Sequence, residues 1–169
     1  MKYTEVVCLA LWFVLCGSAT FARQDVPALE SRIIEALKAQ EPEWTPIAVI
    51  ESGRVPLVPS EKKIVVQVWQ NSNSHSADVS VFVYSIANRV EAMAWLEPFR
   101  NKQVATGWQV SIYQIGDEGY LAKYKDGERF ELEFRRGIVV AKIAGDDPRL
   151  VKDFAKCIVQ QIPAGPNSW

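Results

Sequence analysis

The residues best suited to chemistry are two carboxylates, Glu131 and Glu133, in the segment FELEFRR. If this segment is a β-strand, both side chains lie on one face, with their α-carbons about 6.6 Å apart. Paired carboxylates at a separation of this order hydrolyse glycosidic bonds, one acting as the acid and the other as the base or nucleophile. The pair therefore permits a hydrolase with glycans as its substrate class.

Aromatic and cationic residues are expected on the same strand face as the two glutamates: Tyr120, Tyr124, Arg129 and Arg135. Tyrosine and arginine are enriched in contact surfaces. Lys142 is also expected there and can form a cross-strand ion pair with Glu131, as on any solvated sheet face. We interpret these four residues, together with Glu131 and Glu133, as a ligand-binding or partner-binding surface, and we predict no catalytic residues.

Two tight turns position this surface. Asp126-Gly127 is a strong signal for a type I′ hairpin turn. Arg136-Gly137 is expected to form the next turn and to set Phe134 opposite Val139. Directly opposed residues share a face of the sheet. The two turns therefore predict one apolar face, which carries Leu121, Phe130, Leu132, Phe134, Val139, Ala141 and Ile143.

Three helices are expected around these strands. The first covers residues 27–40, and the second covers 88–97, with Asn88 as its cap and Pro98 at its end. The third begins at Asp147-Pro148, a capping residue followed by proline in the first turn. Its buried side is predicted to carry Val151, Phe154, Ala155, Ile158 and Ile162.

The remaining segments are predicted to form strands and turns. Alternating or continuous apolar residues predict strands over 62–70, 79–84 and 108–115, and a hairpin over 46–59 that its prolines confine to a sheet edge. Residues 71–78 are expected to form a polar loop. This order predicts a single α+β domain over 23–169, with a mostly antiparallel sheet of about six to eight strands and three helices packed on it, like a sandwich.

The N-terminal segment predicts export. Residues 6–16 form an uninterrupted apolar run, and two cleavage sites with small residues follow it, at 17–19 and 20–22. This pattern is typical of a signal peptide over 1–22, cleaved before Arg23. An uncleaved anchor is the main alternative, and a lipid-modified Cys16 is a weaker one. We therefore expect a secreted or periplasmic protein without a membrane span once the signal is removed.

The composition argues against several classes of partner and cofactor. The net charge of −1 offers nothing that would attract a nucleic acid, so none is expected as a partner. His75 is the only histidine and Cys157 the only cysteine after the signal peptide, so we expect no metal, no cofactor and no internal disulfide. The expected partner is an envelope protein or a small ligand. An envelope hydrolase is the alternative function, and a purely structural envelope subunit is a third possibility.

Two turn motifs suggest a relationship to known domains. The sequence GDEGY at 116–120, followed by FRRG at 134–137, resembles that of small secreted bacterial α+β domains akin to the PsbP-like α/β sandwich. The resemblance covers the architecture and the two turns. It implies a non-catalytic accessory or binding role and indicates no site residues.

Overall fold

The computed structural model describes residues 26–49, 58–125 and 127–164. The helices are α1 Val26–Gln40, α2 Arg89–Thr106 and α3 Pro148–Gln161, and the strands are β1 Trp44–Val49, β2 Lys62–Asn71, β3 Ser74–Ser85, β4 Gln109–Ile112, β5 Glu118–Lys123, β6 Phe130–Arg136 and β7 Val139–Gly145. The predicted signal peptide, Asp126 and the Ser52-Gly53 turn of the predicted hairpin lie outside the described residues.

The predicted α+β class is confirmed. The strands of the described chain form one sheet of seven, in the order β1-β2-β3-β7-β6-β5-β4, and every neighbouring pair is antiparallel. Two meanders, β1 to β3 and β4 to β7, are joined where β7 pairs with β3. β1 and β4 therefore form the two edges, and β6 and β7 lie near the middle of the sheet.

Helices α1 and α3 cover one face of the sheet and form the main core with it. Phe154 of α3 lies at the centre of this core, and its ring makes edge-to-face contacts with Trp44 at 5.8 Å and with Trp69 at 5.9 Å. The predicted apolar face of β5, β6 and β7 packs here, and the predicted inner side of α3 is buried as expected. Both assignments were predicted from the spacing of apolar residues along the sequence, and the structure confirms them.

Helix α2 covers the opposite face. Near its start, Trp95 and Leu96 pack with Tyr84 and Val140, and further along, Phe99 packs with Trp108 and Ala122. The central strands are therefore covered on both sides. This arrangement decides how much of the predicted polar face remains accessible.

The prediction that Pro98 ends the second helix is wrong. Helix α2 includes Pro98 and continues to Thr106, where Gly107 closes it in the left-handed conformation with φ 75°. Proline removes one backbone donor and strains a helix interior. Burial of Phe99, one residue later, against Trp108 and Ala122 anchors the following turns and offsets that cost.

The second turn lies one residue later than predicted, which shifts the pairing of β6 with β7 by two residues. Arg136 pairs with Val139, so Gly137 and Ile138 form the loop, and Phe134 faces Ala141 rather than Val139. Gly137 has φ 61°, as the first loop position of a type II′ turn requires. Because the shift is an even number of residues, every side chain keeps its predicted face.

The predicted polar loop over 71–78 is also wrong. β2 runs to Asn71 and β3 starts at Ser74, and these two residues pair across a tight turn. Polar side chains satisfy the turn, since Asn71 Oδ1 accepts from the Asn73 N–H at 2.8 Å and Ser72 Oγ donates to the Glu43 carbonyl at 2.8 Å. The local bond within the turn and the bond to Glu43 let these polar residues form a turn without a long loop.

Asp147 caps α3 through its carboxylate, so the contribution of this cap to stability depends on pH. The hydrogen bond from the Arg149 side chain, assisted by the Arg149 and Leu150 backbone N–H groups, lowers the pKa of the Asp147 carboxyl. A lowered pKa stabilises the fold above the unfolded value of about 3.9, and this contribution is lost as the pH falls through the folded value.

We expect Asp147→Ala to lower the free energy of unfolding at neutral pH by about 1 kcal/mol. The difference from the wild type should shrink at acidic pH, where the carboxyl of the wild type becomes protonated. Urea denaturation at both pH values measures this. Asp147→Asn is the control, because asparagine caps helices without a titrating group. An alanine deficit that is the same at both pH values would contradict the titration.

Candidate functional site

The α2 face of the sheet consists of parallel rows of side chains that run across the strands. One row aligns Lys142, Glu133 and Tyr120, and the next aligns Ala144, Glu131 and Ala122. One step further towards the end of the sheet lies a row that we call the outer row, which consists of Trp108, Tyr124, Arg129 and Asp146. The predicted site residues are therefore distributed over rows with very different environments.

Glu131 and Glu133 lie in the covered part of this face. Each glutamate is 6% exposed, and Lys142 Nζ is 3.1 Å from Glu131 Oε2 and 3.9 Å from Glu133 Oε1. The expected cross-strand ion pair between Glu131 and Lys142 is present. The expectation of a solvated face is wrong here, because α2 packs over β6.

Arg135 is also buried, at 4% exposure, and lies in a separate ionic cluster. Its Nη1 donates to Asp117 Oδ2 and its Nε to Glu118 Oε2, both at 3.0 Å. Asp117 Oδ2 also accepts from the Gly137 N–H at 2.9 Å, and Tyr120 Oη donates to Glu118 Oε1 at 2.8 Å. The cluster thus ties the loop before β5 to the turn between β6 and β7.

Tyr124 and Arg129 are the most exposed of the predicted site residues, while Tyr120 is half-buried. Together with Glu128 and Asp146 they line a shallow cleft of about 570 Å³. Tyr124 is 39% exposed, and its ring packs edge-to-face on Trp108 with the centroids 5.0 Å apart. Exposed aromatic surface next to charged groups is typical of recognition sites.

The hairpin between β5 and β6 places these side chains beyond the paired strands. The ladder ends at Lys123 and Phe130, and the Tyr124 N–H then donates to the Arg129 carbonyl at 2.9 Å. The Gly127 N–H donates to the Tyr124 carbonyl oxygen at 2.9 Å. Gly127 has a positive φ of 82°. Tyr124 and Arg129 are thus fixed on the face that α2 covers further along the sheet.

The charges of the outer row are unpaired within the described part of the chain. Arg129 and Asp146 are exposed, and neither side chain forms a hydrogen bond or an ion pair with a described residue. They are the next residues of two adjacent strands, because Phe130 pairs with Gly145 one step earlier, and both line the cleft. The cleft therefore presents a guanidinium and a carboxylate that are both available to a ligand.

Sequence reasoning missed Asp146, Glu128 and Trp108 as site residues. Asp146 looks like a cap of α3, but only Asp147 has that role. The register error was decisive, because the predicted pairing sets Arg129 opposite Ala144, whereas in the observed register Phe130 pairs with Gly145 and the residues next to this last pair are Arg129 and Asp146. The correct register would have indicated a charged pair at the end of the sheet.

Other chemistry receives no support within the described residues. No group of three or more His, Cys, Asp or Glu residues there could hold a metal ion. Cys157 is buried, and burial, with a smaller effect from Glu41, raises the pKa of its thiol, which disfavours the reactive thiolate. None of the helices described combines the length and the apolar character needed to cross a bilayer.

Comparison with known proteins leaves the family open. No protein-family model matches the chain, and no curated protein is significantly similar to it. The resemblance to PsbP-like domains therefore stays a prediction from the sequence.

Proposed function

We propose that this chain is an exported, periplasmic, non-catalytic domain that binds a ligand or protein partner of the cell envelope in the cleft of Tyr124 and Arg129. The observation that carries this proposal is an exposed guanidinium without a protein partner among the described residues, beside an exposed aromatic ring. The N-terminal signal pattern supplies the expected compartment.

Envelope hydrolysis by Glu131 and Glu133 is the alternative. Both side chains are 8% exposed and both contact the Lys142 ammonium. A glycan would have to pass α2 and compete with that ammonium before it reached either carboxylate. The cleft imposes neither barrier, which is why we place the function there.

A capture experiment tests the binding role. Purified mature protein is incubated with soluble envelope extract and analysed by native mass spectrometry. We expect a reproducible added mass on the wild type. On a Tyr124→Ala, Arg129→Gln variant the bound fraction should fall by roughly tenfold or more, because a charged hydrogen bond and an aromatic contact are lost together.

Lys62→Gln is the matched control, since Lys62 is an exposed cation at the far end of β2 and should leave capture unchanged. A wild type of bare mass, or equal capture by the cleft variant, would contradict the proposal. Turnover of a glycan that disappears in a Glu131→Gln, Glu133→Gln variant would favour the hydrolase instead.

A further inference from the structure

The outer row carries opposite charges in a fixed order. Arg129 lies between the aromatic residue Tyr124 on one side and Asp146 on the other. All three side chains line the same cleft. Across the sheet, the order is therefore aromatic ring, guanidinium and carboxylate.

Arg129 and Asp146 carry opposite charges, are both exposed and line the same cleft. They could form an ion pair, yet none is found between them. A cation beside Asp146 and an anion on Arg129 would each supply the missing partner.

A ligand that suits this row carries both charges. An acidic saccharide would be attracted by Arg129 and repelled by the neighbouring carboxylates, and a polycation would meet the reverse conflict. We propose that the cleft binds a free α-amino acid, with its carboxylate on Arg129, its ammonium beside Asp146 and its side chain against Tyr124. This assignment rests on the proposed function and specifies its ligand class.

The dimensions of the sheet fit this assignment. Neighbouring strands lie about 4.8 Å apart, so Arg129 starts about one strand spacing from Tyr124 on one side and about one from Asp146 on the other. The carboxylate, ammonium and side chain of an α-amino acid all extend from one carbon atom. A central carboxylate on the guanidinium therefore leaves the ammonium and the side chain free to reach opposite neighbours. Guanidinium binds carboxylate through two parallel hydrogen bonds, which fixes this orientation.

Isothermal titration calorimetry tests the inference by measuring the affinity of the mature protein for three related compounds. L-Phenylalanine carries both charges, N-acetyl-L-phenylalanine lacks the cation, and L-phenylalanine amide lacks the anion. We expect phenylalanine to bind. The N-acetyl compound and the amide, which we call the blocked compounds, should each bind roughly tenfold to a hundredfold more weakly, because one charged hydrogen-bonding interaction is lost.

Two variants assign each charge to its residue. Arg129→Gln should abolish the preference for phenylalanine over its amide and retain the preference over the N-acetyl compound. Asp146→Asn should produce the opposite pattern. Lys62→Gln and Glu35→Gln remove exposed charges outside the cleft and should leave all the affinities unchanged. Circular dichroism confirms that each variant is folded.

The outcomes separate the ligand class from the binding role. Blocked compounds that bind as tightly as phenylalanine, or no binding of phenylalanine at concentrations on the order of 10 mM, would overturn the amino acid assignment. The proposed function would survive either result if capture from envelope extract still depended on Tyr124 and Arg129. Loss of that dependence would remove the proposed function itself.

Discussion

Gly116→Ala is expected to lower the free energy of unfolding by about 4 kcal/mol or more, among the largest effects of a single substitution. Gly116 has φ 62°, which L side chains rarely adopt, and an added β-carbon would lie 2.3 Å from the Arg135 carbonyl oxygen. That neighbour is backbone in the middle of the sheet, so it cannot move aside without breaking β-sheet hydrogen bonds. Urea denaturation of the two proteins measures the difference.

Gly137→Ala is the matched control. Gly137 has almost the same backbone angle, φ 61°, but an added β-carbon would meet no atom within 4 Å. Only the conformational strain remains, which costs about 1–2 kcal/mol. The comparison separates strain from steric contact. Equal losses in the two variants would show that the close approach to Arg135 contributes nothing.

The GDEGY motif has a structural explanation in the same contacts. At Gly119 an added β-carbon would lie 2.5 Å from Ile115 Cγ2 and 2.7 Å from the Tyr113 carbonyl oxygen. Between the two glycines, Asp117 and Glu118 bind the Arg135 guanidinium. The motif is therefore explained by a loop that packs tightly on β6. A resemblance based on it indicates a shared fold more directly than a shared ligand.

The parts of the fold that the sequence predicts depend on short-range rules. An alternating pattern assigns faces to β6 and β7, and a two-residue register error leaves those faces intact. Helix α3 has both a capping signal at Asp147 and a single apolar stripe, so its start and its buried side follow from local chemistry. None of these features requires knowledge of distant contacts.

The parts that the sequence does not predict depend on tertiary packing. Helix α2 passes Pro98 because Phe99 finds a buried position against Trp108, a residue of a different element. The same helix buries Glu131 and Glu133, which local sequence marks as surface residues. The candidate site was therefore predicted in composition but not in position. Of its residues, only those beyond the reach of α2, Tyr124 and Arg129, face the cleft.

Arg135→Ala is the second substitution with a large expected effect, about 3–5 kcal/mol. It removes the guanidinium that binds Asp117 and Glu118 in a setting where Arg135 is 4% exposed. Arg135→Lys should recover part of the loss, because an ammonium keeps the charge but cannot reproduce the planar donor geometry. Urea denaturation should give the free energies of unfolding in the order wild type, Arg135→Lys, Arg135→Ala, from the highest to the lowest.

Arg149→Ala is the control for charge alone. Arg149 also pairs with an aspartate at 3.1 Å, but its side chain is 87% exposed, so its loss should affect stability far less. Equal losses in the Arg135 and Arg149 variants would show that burial of the cluster contributes nothing. Ligand capture by folded Arg135→Lys should match the wild type, because the cluster lies outside the cleft lining. Arg135 would then be a structural residue, and among the predicted arginines only Arg129 would remain to bind a ligand.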